Sequence, residues 1–426
     1  MCWSSPARPS GGSCCARTGD DVNIDAAIVG IGTSAFGRGL TESQLALAAQ
    51  AFKSALADAG LERSDVDGLS VHLGWPLGPD YDRIAEAFGL EIRYVNQAWL
   101  HGRFVTSALQ HAMLAVSAGL ADVVACVTAV SFTRERGFLG GPGDVEGNRE
   151  EGGTHGEAPP YGLTAPAGGA AIAMQRYMHL YGATSAQLAA VPIAMRNHAC
   201  RNPRAIMQEP LTLTAHQAAR MVVDPLRLFD CCLISDGAAV VLVARTARAR
   251  DLRQKPVRVI GMQGTRSGRD EFIFAPRSLG INQQSARRSA DRQIDFEVFA
   301  QAGLSRKDVQ GFYTYDASSP LVLFALERFG YCAAGEAAAW VQGGRIELGG
   351  ALPVNTSGGL LSEAHVAGWN SICEMVRQLR GTAGASQIAN AAVLQWGTAW
   401  GDSVMLAACE TTTDDILPEA AATHRA

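Results

Sequence analysis

Apolar residues along the chain occur in short runs that alternate with stretches of helical periodicity. The first run, AAIVGIG at residues 26–32, predicts a buried strand. The segment 42–59 that follows has apolar positions at helical spacing and ends before Gly60, a residue typical of helix C-caps. A second helical pattern, over 104–118, leads into an apolar strand at 122–127. This alternation predicts an α/β protein with parallel strand pairing.

One segment of the chain is present twice. Residues 59–68, AGLERSDVDG, correspond to residues 302–311, AGLSRKDVQG, at a constant offset of 243 residues. Each copy reads as a helix end, a short acidic turn and an apolar strand. The second copy continues through a helical pattern at 371–379 into an apolar run at 391–394. The chain is therefore predicted to contain two copies of one α/β unit, each a sheet covered by helices.

The first half is the longer one because an insert at about 131–222 interrupts it. The insert begins with a Gly-rich polar stretch, 137–169, and continues with a helical pattern at 170–181. Loops of this length in compact proteins are usually lids or binding elements. We therefore expect the insert to cover a substrate site.

These features predict the division of the 426 residues. The parts are a disordered leader (1–22), an N-terminal half (23–250) that contains the loop domain, a C-terminal half (251–412) and a tail (413–426). The leader lacks the apolar core of a secretory signal, and no apolar run reaches the roughly 18–20 residues that cross a bilayer. We expect a cytoplasmic protein without a membrane span.

Charge and cysteine content narrow the class of function. The chain has 36 Lys and Arg residues against 41 Asp and Glu residues, which gives a net charge of −5. It therefore lacks the overall positive charge that is typical of nucleic-acid-binding proteins. The ten cysteines lack the paired C-x-x-C spacing of metal ligands. We expect free thiols in a reducing compartment, and no bound metal.

Several strings, taken in order, carry a resemblance to a known family. They are RYMHLYGAT (176–184), RNHACRNP (196–203), DPLRLFDCC (224–232), SDGA (235–238) and NTSGGLLSEAHVAG (355–368). Over nearly all of residues 25–410 the chain resembles the thiolases of the sterol-carrier-protein type. The resemblance implies the thiolase fold, a duplicated α/β unit in five layers (α-β-α-β-α) with a loop domain inserted in the first half. It also implies a dimer formed through the first half.

The chain departs from that family at both catalytic cysteines. A thiolase uses one cysteine as the acyl nucleophile and a second one for proton transfer. The family's register, counted back from Gly119, places the first at Gly102, and the second falls at Gln395. Because residues 16 to 125 contain no cysteine, acyl transfer through a cysteinyl thioester is excluded. The family's catalytic histidine is retained as His365.

The position that helps to hold the thioester oxygen in this family is a tyrosine here. Tyr315 lies in the string TYDA at 314–317. The missing cysteines and a tyrosine before Asp316 are similar to thiolase-like aldolases of bacterial steroid side-chain degradation, which carry a second tyrosine where this chain has His365. This resemblance implies retro-aldol cleavage of a β-hydroxyacyl-CoA, together with a separate partner that has a zinc ribbon and an OB-fold.

Retro-aldol cleavage needs proton transfer and enolate stabilisation but no nucleophile. A base takes the β-hydroxyl proton, a donor stabilises the enolate, and an acid protonates the α-carbon. We expect Tyr315 and His365 to form the acid/base pair, with the assignment of base and acid open. Tyr315 as a merely buried strand aromatic is the alternative. Further residues are expected to contact substrate: His101, Gly102, Asp316, Gly358 and Trp396.

No cofactor is expected on this chain, since coenzyme A belongs to the substrate and zinc to the partner. Two other functions stay open. One is a non-catalytic acyl-CoA-binding or scaffolding subunit of a thiolase-like complex, and the other is a Claisen-type acyltransferase with a donor on a partner protein. The sequence does not identify the acyl group, and a steroid is one possibility among hydrophobic or aromatic groups.

Overall fold

The computed structural model describes residues 24–74, 77–98, 102–134, 166–265 and 297–408. Within these ranges the chain forms eleven β-strands and thirteen α-helices. The strands are β1 (Ala27–Thr33), β2 (Gly68–His72), β3 (Tyr94–Ala98), β4 (Val123–Ser131), β5 (Met221–Val223), β6 (Leu226–Arg227), β7 (Asp236–Ala244), β8 (Val257–Gln263), β9 (Gly311–Tyr313), β10 (Val393–Gly397) and β11 (Ser403–Ala408). The helices are α1 (Gln44–Ala59), α2 (Tyr81–Phe88), α3 (Val105–Ser117), α4 (Pro166–Tyr181), α5 (Ser185–Leu188), α6 (Ala190–Ala199), α7 (Leu213–Ala218), α8 (Thr246–Ala249), α9 (Glu297–Ala302), α10 (Ser319–Arg328), α11 (Ala337–Trp340), α12 (Gly359–Ser362) and α13 (Trp369–Leu379).

Nine of the described strands form one sheet, in the order β3-β2-β4-β7-β1-β8-β11-β10-β9. The order contains one motif twice, as β2-β4-β7-β1 and as β9-β10-β11-β8. In each copy the first pair of strands is parallel and the next two pairs are antiparallel. The two copies join where β1 pairs with β8. The duplication predicted from the repeat is therefore present in both strand order and strand direction.

The repeated segment folds in the same way in both halves. In each copy an aspartate, Asp65 or Asp308, accepts a hydrogen bond from the backbone N–H three residues earlier and closes a short 3-10 turn. The next strand begins three residues later, at Gly68 or at Gly311. The offset of 243 residues in the sequence thus corresponds to equivalent positions in space.

The sheet is mixed, whereas the pattern of strands and helices predicted parallel pairing in each half. Among the strands that the structure describes, only β3, β2 and β4 in the first half, and β9 and β10 in the second, pair in parallel. Five residues, 398–402, connect β10 to β11. Such a connection is too short for the crossover that parallel strands need, so these strands form a hairpin. The two halves are also connected through two residue pairs between β1 and β8, Ala27 with Arg258 and Ile28 with Val257.

The helices cover the sheet in layers. Helices α1 and α2 pack on one face of the sheet in the first half. On this face Ala27 and Val29 of β1 are buried in the same hydrophobic cluster as the two helices. Ile28 points to the other face, against which α3 packs, as the alternation of a strand requires. Helix α13 contacts β1 and β7 of the first half and β10 and β11 of the second, so it lies between them. Helix α9, the counterpart of α1, packs on β8 and β11. These contacts fit the α-β-α-β-α arrangement.

The chain between β4 and β7 supplies α4 to α7 and the hairpin of β5 and β6. Helices α4 and α6 contact α10, and α6 also contacts α12, in the second half. The Gly-rich stretch of the insert (137–169) lies outside the described residues except for its last four, and so do the predicted leader (1–22) and tail (413–426). The boundary between halves at 250 stays a prediction. Among the helices described, none is long and apolar enough to cross a membrane.

Candidate active site

Tyr315 and His365, the two predicted catalytic residues, are in contact. Tyr315 follows β9, and His365 lies in the loop between α12 and α13. Their Oη and Nε2 atoms are 3.0 Å apart, and their rings meet edge to face with centroids 5.8 Å apart. Tyr315 is only 2% exposed, whereas His365 is half-buried. A phenol and an imidazole that share a hydrogen bond can exchange protons with a bound molecule.

An asparagine joins the two loops that carry this pair. The Oδ1 atom of Asn355 accepts a hydrogen bond from the backbone N–H of Thr314 at 2.9 Å, and its Nδ2 donates to the Thr314 carbonyl at 3.0 Å. Asn355 itself has a φ of 46°, in the left-handed region that asparagine tolerates. Because Thr314 directly precedes Tyr315, these bonds fix the tyrosine loop to the segment that leads to His365.

Glu363 fixes the loop that carries His365 through hydrogen bonds of its buried carboxylate. Its buried carboxylate accepts hydrogen bonds from Ser357 Oγ at 2.6 Å, Asn370 Nδ2 at 2.7 Å and Asn202 Nδ2 at 2.9 Å. A buried carboxylate is tolerated when donors satisfy its oxygens, as they do here. The loop shape two residues before His365 is thereby set by contacts from three different segments.

Three further residues touch the histidine. The backbone N–H of His365 donates to Ser235 Oγ at 2.8 Å, and Phe132 stacks on the imidazole with centroids 4.8 Å apart. The Sγ atom of Cys232 lies 3.7 Å from Nδ1. Burial raises the pKa of the Cys232 thiol well above its usual range, so this sulfur is protonated and is a poor nucleophile. His365 therefore contacts a phenol, a protonated thiol and a serine hydroxyl.

Gly102, the position predicted to have lost the nucleophile, lies against the tyrosine hydroxyl. A Cβ atom added at Gly102 would be 3.0 Å from Tyr315 Oη and 3.2 Å from the Cα and Cβ atoms of Ala367. A cysteine here would therefore compete with the Tyr315 side chain for the same space. The structure thus brings Gly102, Tyr315 and His365 together, and their roles in the reaction stay a prediction.

Asp316 makes its contacts with backbone rather than with this pair. Its buried carboxylate accepts hydrogen bonds from the backbone N–H groups of Leu360 at 2.9 Å and Leu361 at 3.3 Å, at the start of α12. Burial raises the pKa of Asp316 to about 7, while these hydrogen bonds act in the opposite direction. Gly359 is packed directly against this carboxylate. The contacts are those of an anchor for the histidine loop, and a role in substrate binding stays a prediction.

The other predicted contact residues are distributed around the same loop. Gly358 has a φ of 107°, and a Cβ atom there would lie 2.7 Å from the Cβ of Ala199, so packing requires glycine. Trp396 is buried beneath Gly368, and its Nε1 has no hydrogen-bond partner within the described part of the chain. His101 lies outside the described residues. Substrate contact by these residues stays a prediction.

Gln395, the position predicted to have lost the second cysteine, makes two hydrogen bonds in the buried core. Its Oε1 accepts a hydrogen bond from Tyr331 Oη at 2.6 Å, and its Nε2 donates to Ser403 Oγ at 3.1 Å. The amide therefore ties β10 to its neighbours. In the ranges that the structure describes, no group of three or more His, Cys, Asp and Glu residues is arranged to hold a metal ion.

The contacts of Phe132, Cys232 and Ser235 with His365 were not predicted from the sequence. Cys232 and Ser235 lie in strings that carry the family resemblance, which marked them as notable but gave no partner. Phe132 lies at the start of the insert and carried no signal. These contacts join positions more than 100 residues apart, which a pattern along one chain does not reveal.

The fold and this site define a thiolase-fold protein in which a tyrosine beside Gly102 shares a hydrogen bond with a histidine. Residues 278–407 match the family described as thiolase C-terminal domain-like. Over 367 residues the chain is 39% identical to 17-hydroxy-3-oxo-4-pregnene-20-carboxyl-CoA lyase of Mycobacterium tuberculosis, covering 84% of this chain and 92% of that protein. Over 367 residues it is 38% identical to the steroid side-chain-cleaving aldolase of Thermomonospora curvata, covering 84% and 90%.

Solved structures agree with these relatives. The Ltp2-ChsH2(DUF35) aldolase superposes with a TM-score of 0.79 and 35% identity, covering 91% of this chain and 99% of that one. A monomeric SCP2-thiolase-like protein of Mycobacterium smegmatis shares the fold, with a TM-score of 0.64, 18% identity, and 93% and 79% coverage. The chain belongs to the family of thiolase-like aldolases, whose named members above are carbon–carbon lyases. The thiolase fold and the resemblance to aldolases are both confirmed.

Proposed function

We propose that this protein is a lyase that cleaves a carbon–carbon bond of a β-hydroxyacyl-CoA by retro-aldol chemistry. The observation that carries this proposal is the hydrogen bond between Tyr315 and His365, formed directly over Gly102. The pair supplies proton transfer at the place where a thiolase holds its nucleophile. The sulfur beside the imidazole, that of Cys232, is kept protonated by burial, which raises its pKa.

The reaction balances with this pair alone. Tyr315 and His365 take the proton of the β-hydroxyl, and the oxygen electrons form a carbonyl as the bond between the α- and β-carbons breaks. The electrons of that bond become the enolate of the thioester, which then takes a proton at the α-carbon. Because one proton is removed and one is returned, the same pair can carry both transfers. The products are a ketone or aldehyde and a shorter acyl-CoA.

The absence of a nucleophilic thiol and the presence of the histidine both fit a change from Claisen chemistry to aldol chemistry. Claisen and aldol reactions share the thioester enolate, so the enolate site remains useful without a nucleophile. Gly102 provides the space into which the Tyr315 hydroxyl projects. The site therefore keeps the enolate chemistry and exchanges covalent catalysis for acid/base catalysis.

The substrate that we propose is a steroid-type β-hydroxyacyl-CoA, with coenzyme A as part of the substrate. Support comes from the names of two relatives, which specify a 17-hydroxy-pregnene-20-carboxyl-CoA and a steroid side chain. Retro-aldol cleavage of such a thioester breaks the bond between C17 and C20. The products would be a 17-ketone and a three-carbon acyl-CoA.

We further propose that the protein works in an assembly in the cytoplasm. The similar Ltp2-ChsH2(DUF35) aldolase is named for a DUF35 component, which supports a partner with a zinc ribbon and an OB-fold that would hold the zinc. A homodimer through the first half is supported by β3, the last strand of the described sheet on that side. Val95 on this strand is 44% exposed, and an open strand edge readily pairs with another chain.

The test is co-expression with a DUF35-type partner, followed by mass spectrometry of reactions with steroidal, branched and aromatic β-hydroxyacyl-CoA thioesters. We expect the steroidal substrate to be converted to equal amounts of ketone and shorter acyl-CoA. In deuterated water the acyl-CoA should carry one deuterium at its α-carbon. Binding without cleavage of any thioester would instead show a non-catalytic subunit, and transfer of an acyl group from the partner to the acyl-CoA would show an acyltransferase.

A further inference from the structure

The imidazole of His365 is contacted at both ring nitrogens. Its Nε2 atom is 3.0 Å from the oxygen of Tyr315, and its Nδ1 atom is 3.7 Å from the sulfur of Cys232. Which nitrogen carries the single proton of a neutral imidazole depends on these two partners. The role of the tyrosine therefore depends on what the cysteine does on the far side of the ring.

We propose that Cys232 is a positioning residue, which donates its thiol hydrogen to Nδ1 of His365 and so holds the histidine proton on Nε2, facing Tyr315. This inference rests on the proposed lyase function. It assigns Cys232 no contact with the reacting atoms, because the cysteine acts through the imidazole.

The chemistry of the two groups favours this direction of the hydrogen bond. An imidazole nitrogen is a good acceptor, whereas a thiol sulfur is a weak one, so S–H to nitrogen is the better arrangement. The thiol also retains its hydrogen, because burial raises its pKa and the neighbouring Cys231 and Asp316 add to that effect. The hydrogen of Cys232 is therefore available to His365 at neutral pH.

Backbone hydrogen bonds hold the cysteine relative to both catalytic loops. The N–H of Cys232 donates to the carbonyl of Ala317 at 3.0 Å, two residues beyond Tyr315. The next N–H, of Leu233, donates to the carbonyl of Leu360 at 3.0 Å, in the helix before His365. The sulfur is thus fixed against the imidazole by the same segments that carry the reacting pair.

The proposed tautomer gives the two catalytic residues different roles. With the proton on Nε2, His365 donates to the Tyr315 oxygen and so stabilises the phenolate form of this residue. The phenolate takes the β-hydroxyl proton as the carbon–carbon bond breaks, and the phenol so formed returns a proton to the α-carbon of the enolate, which regenerates the phenolate. Tyr315 is then the residue that exchanges protons with substrate, and His365 supports it.

Three variants separate positioning from packing. Cys232→Ala removes the donor, Cys232→Ser keeps a donor, and Cys231→Ser is the matched control, because Cys231 is the adjacent cysteine in the same segment. We expect Cys232→Ala to lower kcat about tenfold with KM changed by less than about twofold. We expect Cys232→Ser to recover kcat to within about threefold of the wild type, and Cys231→Ser to match the wild type.

A measurement that needs no turnover tests the tautomer directly. Nitrogen-15 spectra of the full chain with labelled histidines, assigned by the signal lost in His365→Gln, show which ring nitrogen is protonated. We expect a protonated Nε2 in the wild type and in Cys232→Ser, and a mixture of tautomers in Cys232→Ala. A protonated Nδ1 in the wild type, or a Cys232→Ala variant with unchanged tautomer and kcat, would overturn the inference. Failure of the lyase proposal would appear separately, as a wild type that cleaves no thioester.

Discussion

The hydroxyl oxygen of Tyr315 lies 3.0 Å from Nε2 of His365, although 50 residues separate the two along the chain. The pair forms because β9 delivers the tyrosine and the loop before α13 delivers the histidine to one place. Gly102 leaves the space for the hydroxyl, since a Cβ atom at that position would be 3.0 Å from it. A cysteine side chain at position 102 would therefore crowd the Tyr315 hydroxyl, on which the proposed lyase chemistry depends.

Substitution of Gly102 tests this steric relationship. We expect Gly102→Ala to displace the Tyr315 hydroxyl and to lower kcat by about 10- to 100-fold, because small misplacements of reacting groups are costly. Gly264→Ala is the matched control, since a Cβ atom at Gly264 meets nothing within 4 Å. Steady-state cleavage assays measure both variants. Wild-type kcat in Gly102→Ala would show that the space at this position is not needed.

Removal of the imidazole should reduce the rate without loss of fold. We expect His365→Ala to lower kcat by about 100- to 1000-fold, because a partner in proton transfer is lost. Added imidazole should restore part of the rate by occupying the space that the side chain leaves. His111→Ala, at an exposed position of α3, serves as the control. A His365→Ala variant as active as this control would remove His365 from the mechanism.

The two hydrogen bonds between the Asn355 side chain and the backbone of Thr314 should contribute to the free energy of unfolding. Asn355→Gly keeps the left-handed backbone but leaves the N–H and C=O of Thr314 without their partners, so we expect a loss of about 2–4 kcal/mol in the free energy of unfolding. Asn355→Ala should lose about 1 kcal/mol more, because alanine is strained at a φ of 46°. Urea unfolding measures both values. Equal stability of the two variants would contradict the role given to the backbone conformation.

Asp316 should make stability depend on pH in a particular direction. Burial raises the pKa of Asp316 to about 7, above its value in the unfolded chain, so its contribution is present at low pH and is lost as the pH rises toward and through 7. We expect the wild type to lose a few kcal/mol relative to Asp316→Asn between about pH 4 and pH 8. The difference between the two proteins isolates Asp316, because Glu327 and Glu374, whose pKa values burial also raises, are present in both. A pH-independent difference would show that Asp316 is ionised throughout.

The sequence predicted those features that depend on the spacing of residues along the chain. The repeat at 59–68 and 302–311 predicted the duplicated unit, and the register from Gly119 predicted that Gly102 would lie in the site. The mixed strand directions were missed because they depend on connection lengths, such as the five residues between β10 and β11. The contact of Cys232 with the histidine was missed because it depends on how two distant loops pack.

The most direct test of the account is the rate of thioester cleavage in Tyr315→Phe compared with Tyr313→Phe. Each change removes one buried phenol hydroxyl, but that of Tyr313 is bonded to Thr356 inside the core. We predict that Tyr315→Phe lowers kcat by about 100- to 10,000-fold. Tyr313→Phe should keep its kcat and lose about 1 kcal/mol of stability. A Tyr315→Phe variant that cleaves the thioester as fast as the wild type would contradict the central claim.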